Sequence, residues 1–70
     1  MQIKTTEELG KSIRATRKKH GLTQKKLASM AGIGTRFLSE LERGKPSAQL
    51  GKTLMIANLL GLEIHINERR

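Results

Sequence analysis

Cysteine is absent from this 70-residue chain, which excludes disulfides and thiolate metal sites. The two histidines, His20 and His65, are too few and too far apart in sequence to point to a metal centre. No metal and no cofactor is implied. Aromatic residues are nearly missing, with one Phe and neither Trp nor Tyr. Stacking of single-stranded or RNA bases on aromatic rings therefore has little to work with. No stretch approaches the ~20 apolar residues of a membrane span. Met1–Glu7 lacks the apolar run of a signal peptide, and the expected setting is a reducing cytoplasm. No nucleophile–base pair, carboxylate dyad or phosphate loop stands out, and a chain this short rarely encloses a substrate. An enzyme is not expected.

Acidic residues are also scarce: six face fourteen Lys and Arg, giving a net charge of +8. A domain this basic usually meets a polyanion. The basic residues sit on several short segments rather than opposite one broad apolar face, so the pattern is not that of an interfacial membrane helix. Nucleic acid is the better match. The length allows one domain over residues 1–70, with a limited core that gains from a partner.

Gly21, Gly32, Gly44 and Gly61 each follow an apolar-periodic run and suit the position just past a helix end. The first run starts at Thr6 as N-cap, with Leu9, Ile13 and Arg17 on one face. The second starts at Thr23 and carries Leu27, Ala28 and Ala31. The third is Thr35 to Arg43, with Leu38 and Leu41 inward. Ser47 can cap a fourth helix, whose face reads Leu50, Leu54, Ala57 and Leu60. Met30 and Met55 read as core or interface filler, and Phe37 as a packing residue at a helix edge.

After Gly61 the period changes. Leu62, Ile64 and Ile66 alternate with Glu63, His65 and Asn67, which predicts a strand over 62–67. A lone strand needs a partner for its backbone groups. The simplest partner is the same strand of a second copy, across a two-fold axis. Ile3, within Met1–Thr5, offers a weaker one inside the chain. The fold class expected is all-α, four to five helices, with a C-terminal β-strand pairing across a homodimer.

Residues 22–44 hold the central feature. Two short helices meet at a tight glycine turn, each with one apolar face, as in the DNA-reading bihelical motif. Small Ala28 lets the helices approach, Gly32 permits the turn, and Ile33 fills the angle between them.

The stretch Leu9 to Leu62 resembles the Xre/lambdoid-phage-repressor helix-turn-helix family. The residues that carry the likeness are Gly21-Leu22-Thr23-Gln24, Leu27-Ala28, Ala31-Gly32-Ile33 and Leu38-Ser39-Glu40-Leu41-Glu42-Arg43-Gly44-Lys45. The chain resembles HipB-like antitoxins in particular, which end in a strand much like Leu62-Glu63-Ile64-His65-Ile66. The resemblance implies a lambda-repressor-like domain, a homodimer on palindromic operator DNA, and half-sites about one turn, ~34 Å, apart. It also implies a possible partner, a HipA-like toxin with a serine/threonine kinase fold.

Carried over residue by residue, the resemblance puts Gln24 at the DNA backbone, bracing the recognition helix, with Lys25 beside it. Thr35, Arg36, Ser39 and Glu40 face the major groove. Arg36 is suited to bond the O6 and N7 of a guanine together. Arg43 and Lys45 reach phosphate. Arg17 and Glu42 form a structural ion pair under the motif. Leu62, Ile64 and Ile66 face the dimer strand's apolar side. Two departures stand out. Gly34 replaces the usual Ser or Thr cap of the recognition helix, and Glu40 places a negative charge on the DNA-facing side. Glu40 either accepts from cytosine N4 or pairs with Arg36 or Arg43 along the helix.

The function expected is transcriptional repression. One reading is a HipB-like antitoxin that autoregulates its operon and binds a kinase toxin. The alternative is a stand-alone regulator, such as a phage or restriction-modification controller, with no protein partner beyond itself. A pure protein-interaction module would leave the basic face idle.

Overall fold

The computed structural model describes residues 2–69. It contains four helices: α1 (Thr6–Lys19), α2 (Gln24–Ala31), α3 (Thr35–Glu42) and α4 (Leu50–Leu59). Helix α3 packs on both α1 and α2, and α2 packs on α4. The core they enclose is Ile13, Leu27, Ala28, Leu38, Leu41, Ile56 and Leu60, with Leu9, Leu22, Ala31, Ile33 and Phe37 packed around it.

Helix α1 is capped by Thr5, not by Thr6. The Thr5 hydroxyl accepts from the Glu8 N–H, and Glu8 in turn accepts from the Thr5 N–H, a reciprocal capping box. Thr6 lies inside the helix, where its hydroxyl donates to the Gly44 carbonyl at 2.8 Å. This bond ties the start of α1 to the chain after α3. Gly10 makes the rest of that approach possible. A Cβ at position 10 would lie 2.5 Å from the Leu41 carbonyl oxygen and 2.6 Å from that of Glu42. Only a residue without Cβ lets α1 come so close to the end of α3.

Helix α2 is capped by the Thr23 hydroxyl, which accepts from the Lys26 N–H. Gly32 ends it in the left-handed conformation, φ 67°. The Ile33 N–H then donates back to the Ala28 carbonyl at 3.0 Å, which folds Ile33 against the core.

Helix α4 departs from expectation at its start and on its face. It begins at Leu50 after Gln49, and Ser47 lies outside it as an exposed residue. Thr53, Ile56, Ala57 and Leu60 face inward, whereas Leu50 and Leu54 are exposed. The buried Thr53 hydroxyl donates to the Gln49 carbonyl, so no polar atom is stranded there. Met30 and Met55 are exposed and take no part in the core.

No strand forms among the described residues. The segment expected as a strand, 62–67, continues from α4 without regular structure. The Leu62 N–H still bonds the Ala57 carbonyl. Ile64 and Ile66 stand exposed, and the ladder partner a strand requires is not supplied by this chain. Nor does the segment around Ile3 pair with it. No helix among the described residues is long and apolar enough to cross a membrane.

Candidate nucleic-acid interface

The two helices α2 and α3, with the turn at Gly32, place one surface outward. On α3 the apolar residues Leu38 and Leu41 and the carboxylate of Glu42 point in. One hundred degrees per residue then puts Arg36, Ser39, Glu40 and Arg43 together on the opposite side. Arg36 and Arg43 are exposed, and Ser39 and Glu40 are half-buried. Thr35 is exposed in the first turn, at the edge of this face. No side chain caps the start of α3 at Gly34, and its first turn holds no acid. Its first backbone N–H groups therefore keep the positive end of the helix dipole unneutralised.

Beneath this surface sits a buried ion pair. Arg17 Nε donates to Glu42 Oε2 at 2.6 Å and Nη2 to Oε1 at 2.9 Å, so the guanidinium grips the carboxylate with two parallel bonds. Arg17 Nη1 also donates to the Leu22 carbonyl at 2.7 Å. One side chain thus joins α1, the turn before α2, and α3. The Gln24 amide completes the cluster, its Nε2 donating to Glu42 Oε1 at 3.1 Å. The first residue of α2 is therefore fixed relative to α3. Burial pushes the Glu42 carboxyl up. The bonds from Arg17 and Gln24, with the Arg17 charge, more than reverse this and hold it below the usual carboxylate range. The bond to Glu42 raises the Arg17 guanidinium, against its own burial.

On the outer face the arrangement differs. Lys45 Nζ donates to Glu40 Oε1 at 3.2 Å, and Arg36 Nε lies 3.6 Å from Glu40 Oε2. The Lys45 bond leads in holding the Glu40 carboxyl below its usual range. The backbone reinforces it, with the N–H groups of Arg43 and Lys45 both donating to the Glu40 carbonyl at 3.1 Å. Of the two arginines near Glu40 on this helix, the structure brings Arg36 to it, while Arg43 makes no ion pair with it among the described residues. Lys25, Lys26 and Arg43 make no ion pair among the described residues. All three are exposed, which leaves their charge available to a polyanion.

Two contributors were not legible beforehand. Gly10 seats α1 on the end of α3, and its only signal is a glycine inside an otherwise helical run. Lys52 of α4 places its amine 5.5 Å from the centre of the Phe37 ring. This cation–π contact covers the edge of α3. It depends on how α4 packs, which no local pattern reports. No cluster of His, Asp and Glu able to hold a metal occurs among the described residues.

Comparison with known proteins places this geometry. The helix-turn-helix family HTH_3 matches residues 13–66. A curated relative from Sinorhizobium fredii (strain NBRC 101917 / NGR234), the uncharacterized HTH-type transcriptional regulator y4mF, is 46% identical over 72 residues, covering 99% of this chain and 95% of the relative. A second from the same organism, the uncharacterized HTH-type transcriptional regulator y4dL, is 32% identical over 59 residues, covering 84% of this chain but 30% of its own length. Among solved structures, a HipB-O4 20mer complex contains a chain of the same fold, with a TM-score of 0.89 at 23% identity, covering 100% of this chain and 99% of that one. A HipA-HipB-O2-O3 complex contains another, with the same TM-score, identity and coverage.

Proposed function

The chain belongs to the helix-turn-helix family, and from that premise we propose that it is a sequence-specific, double-stranded-DNA-binding transcriptional repressor acting as a homodimer. The observation that carries the reading is the outer face of α3. Arg36, Ser39 and Arg43 share it, and Lys45 lies beside it. Under it, the buried Arg17–Glu42 pair and Gln24 fix how that face is presented. A net charge of +8 supplies the attraction to phosphate. In this reading Arg36 reads a base edge, with Thr35, Ser39 and Glu40 close to the groove. Gln24, Lys25, Arg43 and Lys45 meet the backbone. The protein is a binder, not an enzyme, and works in a reducing cytoplasm. Residues 22–44 form the DNA-reading core of one domain spanning 1–70.

The homodimer rests on α4 and the tail. Leu54, Met55 and Leu59 are 38%, 39% and 44% exposed on the outer side of a helix whose inner side is already buried. A helix apolar on both sides is normally covered on both. The occupant proposed is a second copy, whose 62–67 segment pairs with its counterpart, bringing Leu62, Ile64 and Ile66 against the same apolar face.

We further propose that the protein is the HipB-like antitoxin of a toxin–antitoxin operon, repressing its own promoter and binding a HipA-like kinase toxin. The likeness of fold to the HipB chain of the HipA-HipB-O2-O3 complex supports this. A stand-alone regulator is the second reading, in line with the 46% identical y4mF, an uncharacterized HTH-type transcriptional regulator. Co-purification of the tagged protein with the product of its operon neighbour, followed by a gel shift on the operon's promoter, separates them. A kinase-like neighbour that co-elutes and remains on the shifted DNA supports the antitoxin. A promoter shift by the bare protein with no neighbour bound supports the stand-alone regulator. A protein that shifts no duplex overturns both.

A further inference from the structure

Glu40 is the one acid on the outward face of α3, and it stands among Arg36, Arg43 and Lys45. Its carboxylate already has partners within the chain. Its carboxylate is anchored by Lys45 Nζ at 3.2 Å and flanked by Arg36 Nε at 3.6 Å, and three-quarters of the side chain is covered, 26% remaining exposed. Arg36, by contrast, is 90% exposed. Two cations suited to DNA are thus engaged by an internal anion before any DNA arrives.

Resting on the DNA-binding reading above, we infer that Glu40 is a specificity-determining residue: its carboxylate selects against duplex that offers only phosphate and favours duplex that presents an amino group in the major groove. The reasoning is electrostatic. A phosphate that takes Lys45 or Arg36 away from Glu40 leaves a carboxylate facing a polyanion without compensation. Non-specific duplex provides nothing in return. A base pair that places the cytosine N4 amino group opposite Glu40 gives the carboxylate a donor. The charge then disfavours wrong sequences more than the right one, and specificity is a difference of two affinities.

The test compares two duplexes of equal length and composition. One is selected by the wild-type protein from a randomised pool, and the other is its shuffled sequence. Dissociation constants are measured at several salt concentrations for the full-length wild type, Glu40→Gln and Glu40→Asp. Glutamine keeps the shape and still accepts from Lys45, so the fold is retained, and a thermal melt of each variant confirms it. The expected result for E40Q is tighter binding to the shuffled duplex, and a ratio of selected to shuffled affinity lower by about tenfold, the equivalent of one lost base contact. The salt dependence on shuffled duplex steepens by about one phosphate contact, because Lys45 no longer faces an opposite charge that competes with phosphate. E40D keeps the charge and retains most of the wild-type ratio. Equal tightening on both duplexes, or no change on either, overturns the inference, because Glu40 would then be a general repulsion or a brace within the fold. A wild type that enriches no sequence and binds no duplex instead overturns the DNA-binding reading, a result distinct from either.

Discussion

Arg17 grips Glu42 through two parallel bonds at 2.6 and 2.9 Å, and the pair is buried where α1, α2 and α3 meet. Breaking such a pair by removing one partner leaves a buried charge without compensation, which costs about 3–5 kcal/mol. The whole chain has on the order of 0.05–0.15 kcal/mol per residue of stability. Glu42→Ala or Arg17→Ala should therefore unfold much of the population at growth temperature. The double variant Arg17→Met with Glu42→Leu fills the same space without charge, and should recover most of the loss. Urea midpoints of the four proteins check this. A double variant no more stable than either single variant would show that an uncompensated buried charge is not the source of the single losses.

The same pair sets an acid limit. The Glu42 carboxyl is held below its unfolded value, so its contribution is present above the ordinary glutamate range, about pH 4.3, and is lost as pH falls through the depressed folded value. The wild type should lose stability on acidification below about pH 4. The Arg17→Met, Glu42→Leu double variant should show a shallower loss over the same window. Denaturant midpoints taken along an acid series measure the difference. Identical slopes would assign acid sensitivity to other carboxylates.

Gly10 makes a contrary prediction to helix propensity. In an exposed helix, Gly→Ala gains about 1 kcal/mol. Here the new Cβ would meet the backbone oxygens of Leu41 and Glu42, and backbone cannot swing aside. Gly10→Ala should therefore destabilise, by about 1–3 kcal/mol as for an overpacked core. A melting temperature at or above wild type would show that α1 slides easily and that the close approach is not needed.

The legible parts were those with local chemistry. Thr23 and the turn at Gly32 mark the ends of α2, and Leu38 and Leu41 show the inner face of α3, because these signals lie within a few residues of each other. The N-cap of α1 was placed one residue late, at Thr6, although the signal for Thr5 is local. Glu8 stands three residues after Thr5, not Thr6, and only Thr5 can complete the reciprocal box. Periodicity failed on α4, where Leu50, Leu54, Met55 and Leu59 leave little contrast between faces. The buried stripe there is Thr53, Ile56, Ala57 and Leu60, chosen by packing against α2 and the core rather than by pattern. At the candidate site, the outward set on α3 came from the family resemblance, and helix geometry agrees with it once Leu38 and Leu41 are placed inward. Two links lay outside any local pattern. Gln24 reaches Glu42 across the fold, and Lys45 returns to Glu40 only because the chain reverses at Gly44, where φ is 88°.

Arg36 and Lys25 should behave differently on DNA. In the proposed reading Arg36 meets a base edge, and Arg36→Ala should then cost about 1–3 kcal/mol on the selected operator and relax the preference at one position. Lys25 is exposed at the start of α2, with no ion pair among the described residues. Lys25→Ala should weaken all sequences alike and reduce the salt slope by about one. Titrations on selected and shuffled duplexes distinguish the two. An Arg36→Ala protein with unchanged preference would remove Arg36 from direct readout.

The dimer prediction decides between two kinds of contact. If α4 carries the interface, Leu54→Lys with Leu59→Lys places charge on the apolar face and should give a monomer by sedimentation. If the 62–67 segment carries it, Ile64→Lys with Ile66→Lys should do the same. The wild type is expected as a dimer, and both variants are expected to weaken it, because the face and the tail form one continuous apolar surface in the proposed assembly. A monomer holds one half-site at a time. Operator affinity should then fall by about 10²–10⁴, the advantage that linking two sites confers, while the stability of each folded chain changes little. Variants that both sediment as the wild-type dimer would place the second copy elsewhere. A wild type that is monomeric at the concentrations that shift DNA would end the homodimer reading.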